Sequence, residues 1–216
     1  MTLMFTVLSV KGGVGKTVTA VHLAAYFQER GPTLLVDGDA TRSATLWAQP
    51  GRLPFTVVPE RAVSKELSER RYDFIVVDTE ANPADSDVKE LADSSHMMII
   101  PATPDGLGLQ GAQQTMEKLK RAGNRTPYKI LITITPPKPN RDGEEALKYL
   151  AEQGWPHFSV SIPRLVGFQR GPLEGVTIDK LDRQNLGWQC YESIGEELIG
   201  SELPTTRVAE YARTQV

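Results

Sequence analysis

Apolar residues fall into short runs along the chain, and these runs alternate with segments of helical spacing. Leu3–Val10, Thr33–Asp37, Phe55–Val58, Tyr72–Asp78, Met97–Pro101, Lys129–Thr135 and Phe158–Ile162 have the length and character of strands. Between them the apolar positions recur every three or four residues. That spacing predicts helices over Lys16–Arg30, Ser43–Ala48, Ala62–Arg70, Ala84–Asp93, Gly108–Ala122, Gly143–Gln153 and about Asn185–Ile199. In the first helix Ala20, Leu23, Ala24 and Phe27 share one face; in the last, Leu186, Cys190, Ile194 and Leu198 make a core stripe. Runs such as Ile75-Val76-Val77 and Met97-Met98-Ile99-Ile100 are apolar on both faces, as strands of a buried parallel sheet must be. The pattern predicts an α/β fold, a parallel sheet flanked by helices on both faces. No repeat, low-complexity tract or linker interrupts it, so a single domain is expected over residues 1–216. Ligands of such sheets bind beyond the carboxyl ends of the strands.

The residues with the most distinctive chemistry lie at those ends. After the first strand comes Ser9-Val10-Lys11-Gly12-Gly13-Val14-Gly15-Lys16-Thr17, then a helix. Strand, glycine loop and a helix opening on Gly-Lys-Thr is the arrangement of a phosphate-binding loop. Gly12, Gly13 and Gly15 let the backbone approach an anion with no Cβ in the way. Unpaired N–H groups of the first helical turn, Val18 included, then face the phosphates. Lys16 is expected on the β/γ-phosphates and the Thr17 hydroxyl on Mg²⁺.

Two further strands end in acids. Leu34-Leu35-Val36 runs into Asp37-Gly38-Asp39, and Phe74-Ile75-Val76-Val77 into Asp78. Carboxylates placed there can hold the hydration shell of Mg²⁺ and orient a water. Acids at strand ends also serve as turn or helix caps, and Asp39 suits that role too.

The loop lacks the glycine with which the usual motif opens; Val10 stands there, and a second lysine, Lys11, follows. Lys11-Gly12-Gly13-Val14-Gly15-Lys16-Thr17 resembles the deviant Walker A box of the ParA/MinD family of P-loop ATPases. The resemblance covers residues 1 to about 180 and implies ATP and Mg²⁺ as cofactors, with Thr17, Asp37 and Asp78 on the metal side. It implies catalytic roles for Lys16, for Asp39 in placing the attacking water, and for Lys11 in reaching the partner's ATP within a nucleotide-sandwich homodimer. Ala40 and Thr41 stand where the family often has Pro-Gln, so no role of that glutamine carries over. Thr79-Glu80-Ala81 likewise departs from Asp-Thr-Pro-Pro, leaving Glu80 as a metal-shell contact, a partner contact or an exposed acid. In the adenine pocket the resemblance points to Thr135, where relatives often carry Asn, and to Pro163 within Ile162–Phe168. The implied function is ATP-switched positioning of a cargo: a plasmid, a chromosome or a protein organelle such as a carboxysome. Nonspecific DNA of the nucleoid would be the matrix, and an adaptor or centromere-binding partner protein would stimulate hydrolysis.

The formal net charge of −3 offers no overall attraction to nucleic acid, so DNA binding needs a local patch. Lys118, Lys120, Arg121, Arg125 and Lys129 form the denser basic cluster. Arg164, Arg170, Lys180 and Arg183 form a second, interrupted by Glu174, Asp179 and Asp182. Either is a solvated helix face or, given the resemblance, half of a DNA surface completed in the dimer. A single cysteine, Cys190, excludes an internal disulfide and suits a reducing cytoplasm. It also argues against a nitrogenase-iron-protein-like electron carrier, which needs cluster thiolates. A small-molecule ligase of the dethiobiotin-synthetase type is the other enzymatic alternative. No apolar run is long enough to span a bilayer, and Leu203–Val216 has too few large apolar residues for a MinD-like membrane helix, so no membrane partner is expected.

Overall fold

The computed structural model describes residues 2–182 and 185–200. Strands β1 (Leu3–Ser9), β2 (Thr33–Gly38), β3 (Thr56–Pro59), β4 (Phe74–Ala81), β5 (Met97–Ala102) and β6 (Tyr128–Ile132) form one sheet in the order β3-β2-β4-β1-β5-β6. Every pairing is parallel. The helices are α1 (Lys16–Gln28), α2 (Ser43–Ala48), α3 (Val63–Glu69), α4 (Asp85–Ser94), α5 (Gly106–Arg121), α6 (Asp142–Glu152), α7 (Val166–Glu174), α8 (Ile178–Leu181) and α9 (Leu186–Gly200). Arg183 of the second basic run and residues 201–216, with the tail read for membrane affinity, lie outside the described residues. No described helix is long and apolar enough to cross a membrane.

The alternation of side chains along each strand builds two cores. Met4, Leu8, Leu34, Val36, Ile75, Val77, Met98 and Ile100 face one layer, where Val63, Val88, Leu91, Leu119 and Leu150 of α3, α4, α5 and α6 cover them. Phe5, Val7, Leu35, Val76, Ile99 and Leu131 face the other, under α1, α2, α8 and α9. Both faces are thus dry, as the two-sided apolar runs require. Helix α1 is buried nearly all round because it lies between the sheet and α9; Tyr26, His22 and Thr19 are covered as well as the predicted stripe.

Two expectations are corrected. Phe158–Ile162 is not a strand. It follows β6 through isolated bridges at His157 and Pro163, with Phe158 and Ile162 N–H groups donating to Ile130 and Ile132 carbonyls. These donors are four residues apart while their acceptors are two apart, so a regular ladder cannot form between them; the Ser159 N–H, on the side away from β6, donates to the Glu197 carboxylate of α9 at 3.0 Å. Strand β6 also stops at Ile132 rather than Thr135, because Ile134 is left-handed at φ 56° and cannot continue a strand. Helices α7 and α8 were not expected; Gly167, Gly171 and Pro172 obscure the periodicity of α7.

His22 ties α1 to the segment that follows α7. Its Nδ1 lies 2.7 Å from the Val18 carbonyl and its Nε2 accepts from the Ile178 N–H at 3.1 Å, which fixes a neutral imidazole. Trp47 and Phe168 meet the ring edge-on and Tyr191 stacks on it. Burial depresses the His22 pKa to about 4, with the Val18 carbonyl and Asp179 opposing. A folded value below the unfolded 6.5 means that the unfolded chain takes up the proton first. Stability is then lost as pH falls from about 6.5 toward 4, by on the order of 2–3 kcal/mol. Wild type is expected to lose roughly 5–10 °C more than His22→Gln between pH 7 and pH 4.5 in thermal melts. Parallel curves for the two proteins would show that His22 does not titrate with unfolding.

Candidate functional site

The loop between β1 and α1 stands at the centre of the sheet's carboxyl edge. Gly13 and Gly15 hold φ of 75° and 84°, left-handed values that explain glycine at both positions. Gly15 forms the N-terminal boundary of α1; no described side chain caps it, and the first turn contains no acid. The first-turn N–H groups of Lys16, Thr17 and Val18 are therefore available to an external anion. Val14 is buried and its carbonyl accepts from the Thr133 hydroxyl at 2.8 Å, so the loop is fixed from beneath by the end of β6. The Lys16 ammonium folds back over the loop to the Lys11 carbonyl at 3.2 Å. Burial lowers the Lys16 pKa, while Asp78 and Asp39 oppose the shift.

Register places the acids. Asp37 of β2 and Asp78 of β4 are direct partners across parallel strands, and Val7 of β1 pairs Asp78 on the other side. The two carboxylates differ in what they meet. Asp37 is satisfied by the protein: one oxygen accepts from the Asp39 N–H at 3.2 Å, the other from the Thr45 N–H at 2.8 Å and hydroxyl at 2.6 Å. Its carbonyl also holds Arg42, which is left-handed at φ 55°. Asp78 is fully buried, and neither carboxylate oxygen has a hydrogen-bond partner among the described residues. Burial pushes its pKa up to about 7, and Asp37 and Asp39 add to the rise. Thr17 and Lys16 lower it, Thr17 lying close without reaching hydrogen-bond geometry.

An ionised, unpaired carboxylate in a dry site is unfavourable unless a cation arrives. No set of three or more His, Cys, Asp or Glu side chains that could hold a metal occurs among the described residues. A sparse protein shell of one or two carboxylates completed by phosphate and water is the ordinary situation of Mg²⁺. Asp78 with Thr17 beside it fits that ion, whereas both Asp37 oxygens are engaged by the Asp39 N–H and by Thr45. Asp39 is half-buried, and its Oδ1 accepts from the Thr41 N–H and hydroxyl at 2.8 and 2.9 Å, so in this state it closes a turn. Glu80 is exposed.

A second, apolar cleft of about 310 Å³ adjoins the loop. Val18, Ile134, Pro163, Leu165, Phe168 and Tyr191 supply its walls, with Arg164 and Gln169 as polar members. Pro163 is where a base-packing residue is expected. Thr135 does not line the cleft; it is buried and its hydroxyl donates to the Ile162 carbonyl at 3.3 Å. Tyr191 and Phe168 come from helices remote in sequence, and only the packing around His22 brings them here.

Lys11 is half-buried. Its stem lies against α5, where a Cβ at Gly111 would stand 3.2 Å from the Lys11 Cβ, and its ammonium is 4.0 Å from Asp105. Asp105 opens α5 by accepting from the Gly108 N–H at 2.9 Å. The Thr103 hydroxyl and that N–H, with Lys11, hold its carboxyl below the usual range. Asp105 and Thr133 were missed in the sequence because each acts on the loop from a different strand end.

The denser basic cluster does not form one surface. Lys118 is buried, with its ammonium 3.1 Å from Asn82 Oδ1 and 3.3 Å from Asp85 Oδ1. Lys129 is paired with Glu197 at 2.9 Å. Lys120, Arg121 and Arg125 remain exposed, as do Arg164, Arg170 and Lys180 of the second run. Lys180 pairs with Asp179 at 3.0 Å.

The family model for the CobQ/CobB/MinD/ParA nucleotide binding domain matches residues 5–178. Maintenance of carboxysome distribution protein A of Gloeobacter kilaueensis is 32% identical over 209 residues, spanning 94% of this chain and 91% of that protein. The protein of the same name from Halothiobacillus neapolitanus is 25% identical, spanning 81% and 86%. Among solved structures, apo McdA from Cyanothece superposes with a TM-score of 0.76 at 15% identity, over 92% of this chain and all of that one. A plasmid partition protein of Borrelia burgdorferi bound to AMPPNP gives 0.73 at 19% identity, over 92% and 99%. The agreement extends from the loop through both acidic strand ends, and the chain belongs to the CobQ/CobB/MinD/ParA family of nucleotide-binding domains.

Proposed function

We propose that this protein is a ParA-type ATPase that positions a cargo, with a carboxysome-like protein organelle as the cargo. The unpartnered, buried Asp78 carboxylate beside Lys16, Thr17 and an uncapped glycine-rich helix start is the observation that carries the ATPase reading. Two relatives bearing the carboxysome-distribution name, one of them alignable over 94% of the chain, support the cargo. In this reading Gly12, Gly13, Val14, Gly15, Lys16, Thr17 and Val18 bind the triphosphate, while Pro163 and the apolar cleft hold adenine. Thr17 and Asp78 hold Mg²⁺, with Asp37 supporting from the second layer. Bound Mg²⁺ supplies charge neutralisation on the phosphate oxygens. Asp39 leaves its turn to place the attacking water, and Lys11 leaves Asp105 to reach the ATP of a second copy.

The reading is tested with purified protein and ATP. Lys16→Ala is expected to lose ATP binding, since it removes the loop's own phosphate-facing cation. Lys11→Ala should retain binding yet fail to dimerise with ATP in light scattering, and Asp39→Ala should accumulate an ATP-bound dimer with turnover reduced ~100-fold or more. An ATP-induced dimer of Lys11→Ala would remove Lys11 from the interface. Stimulation of hydrolysis by the product of the adjacent gene tests the partner.

Asp78 gives a second test. Its folded pKa lies above the unfolded value, so its contribution to stability is greatest when protonated and is lost as pH rises toward and through about 7. Without ligand, Asp78→Asn should therefore melt above wild type at pH 8, by on the order of 1–3 kcal/mol, and converge with it only at about pH 4, where the unfolded carboxyl is protonated as well. With ATP, the extra stabilisation that Mg²⁺ gives over EDTA should vanish in the variant. Retention of that increment would place the metal elsewhere.

ATP-dependent, sequence-independent DNA binding completes the proposal, with the contacts drawn from the exposed Lys120, Arg121 and Arg125. Two copies in a dimer offer about six phosphate contacts, giving a slope of log affinity against log salt near −5. Replacing all three residues by Ala should flatten the slope on unrelated duplexes in anisotropy titrations. Equal DNA affinity with ADP and ATP, or an unaffected triple variant, would assign these residues to a solvated helix end.

A further inference from the structure

The buried ammonium of Lys118 has no part in the nucleotide contacts described above, yet it reaches the loop that follows Asp78. Its side chain is 9% exposed; of its two acceptors, Asn82 Oδ1 at 3.1 Å lies in the connection between β4 and α4, and Asp85 Oδ1 at 3.3 Å belongs to the residue that opens α4. Asn82 is held in an unusual conformation. Its φ of 54° is left-handed, a region that non-glycine residues enter when local hydrogen bonds favour it. In that conformation its N–H donates to the Ser9 carbonyl at 3.3 Å. Ser9 pairs with Ala81 just beyond a register shift in the β1–β4 ladder, and the Asn82 contact extends the tie between the two strands past that pair. Ser9 is two residues from Lys11.

The same helix grips the loop a second time. Three residues before Lys118, the Thr115 Oγ1 accepts from the Val10 N–H at 3.2 Å and donates to the Gly111 carbonyl at 2.7 Å. One turn earlier, Gly111 receives the stem of Lys11. Ser9, Val10 and Lys11 are therefore fixed in sequence by α5: through Lys118 and Asn82, through Thr115, and through packing at Gly111.

We infer that Lys118 is a positioning residue which, through Asn82 and Ser9, sets the direction in which Lys11 leaves the phosphate loop. The inference rests on the reading of Lys11 as the lysine used across the ATP dimer. Loss of Lys118 should leave the triphosphate cradle of residues 12–18 intact, because its two acceptors are Asn82 and Asp85. Its effect should fall on the steps that need Lys11.

The test compares Lys118→Met, Lys118→Arg and Asn82→Gly. Methionine keeps much of the stem and removes the charge; arginine keeps the charge and can bond both acceptors. Glycine at 82 tolerates the positive φ and deletes only the acceptor. Lys118→Met is expected to bind ATP within about twofold of wild type while kcat and ATP-dependent dimerisation fall ~10- to 100-fold, the size of effect that small misplacements produce. Arginine should restore most of the loss, and Asn82→Gly should reproduce the methionine variant. If Lys118→Met fails to fold, Asn82→Gly decides the matter: wild-type kinetics for it overturn the inference. Amide hydrogen exchange on the ligand-free protein supplies a readout independent of catalysis. Protection at the Val10 and Lys11 amides should drop about fivefold or more in Lys118→Met and Asn82→Gly as the local opening becomes easier. Unchanged protection overturns the inference whatever the kinetics show, whereas reduced protection in a protein that never hydrolyses ATP overturns only the ATPase reading. A shallower DNA salt slope for Lys118→Met, with kinetics and protection unchanged, would return Lys118 to the nucleic-acid surface and likewise overturn it.

Discussion

One buried carboxylate without a partner organises the carboxyl edge of this sheet. Asp78 stands in register with Asp37, and both are removed from water, but the protein satisfies only Asp37. Thr45 and the Asp39 N–H complete the Asp37 carboxylate and thereby fix the start of α2. Nothing equivalent reaches Asp78 among the described residues, and burial, with Asp37 and Asp39 nearby, raises its pKa to about 7. Two acids in adjacent strands thus take different roles through their surroundings, one as a brace and one as a ligand in waiting. The arrangement makes the ligand-free state electrostatically incomplete, with Lys16 close by but turned to the Lys11 carbonyl.

The parts legible in the sequence are those whose cause is local. The phosphate loop, the acids at the strand ends and the bounds of α2 each follow from neighbouring residues, and each lies where its pattern places it. The parts that were not legible depend on residues far away in the chain. Phe158–Ile162 has the composition of a strand, but its register against β6 slips between Phe158 and Ile162, and Ser159 is held by Glu197 of α9. Lys118 and Lys129 look like members of a basic surface because their counter-groups, Asn82, Asp85 and Glu197, are distant in sequence. Charge runs report composition; exposure is a property of packing. Thr135 follows the same rule, since its hydroxyl is engaged by Ile162 from the segment alongside.

The phosphate loop and the apolar cleft beside it lean on different layers of the molecule. Helix α1 emerges from the loop into the layer that contains Trp47, Phe168 and Tyr191, and His22 joins these residues to α8. The apolar cleft is therefore an extension of one core, and its shape is as rigid as that core's packing. The start of the loop leans instead on α5, whose inner face packs in the other core. A ligand that occupies both the cleft and the loop bridges the two layers at the sheet's edge. Only the strand ends connect them there: Gly15 rests on Thr133 at the end of β6, and Lys16 faces Asp78 at the end of β4. The stem of Lys11 packs on α5 at Gly111, and its ammonium is held by a 4.0 Å ion pair with Asp105 at the surface. Such a pair contributes little in water, so a stronger counter-charge would displace it at small cost, as the proposed contact with a phosphate of a second copy requires.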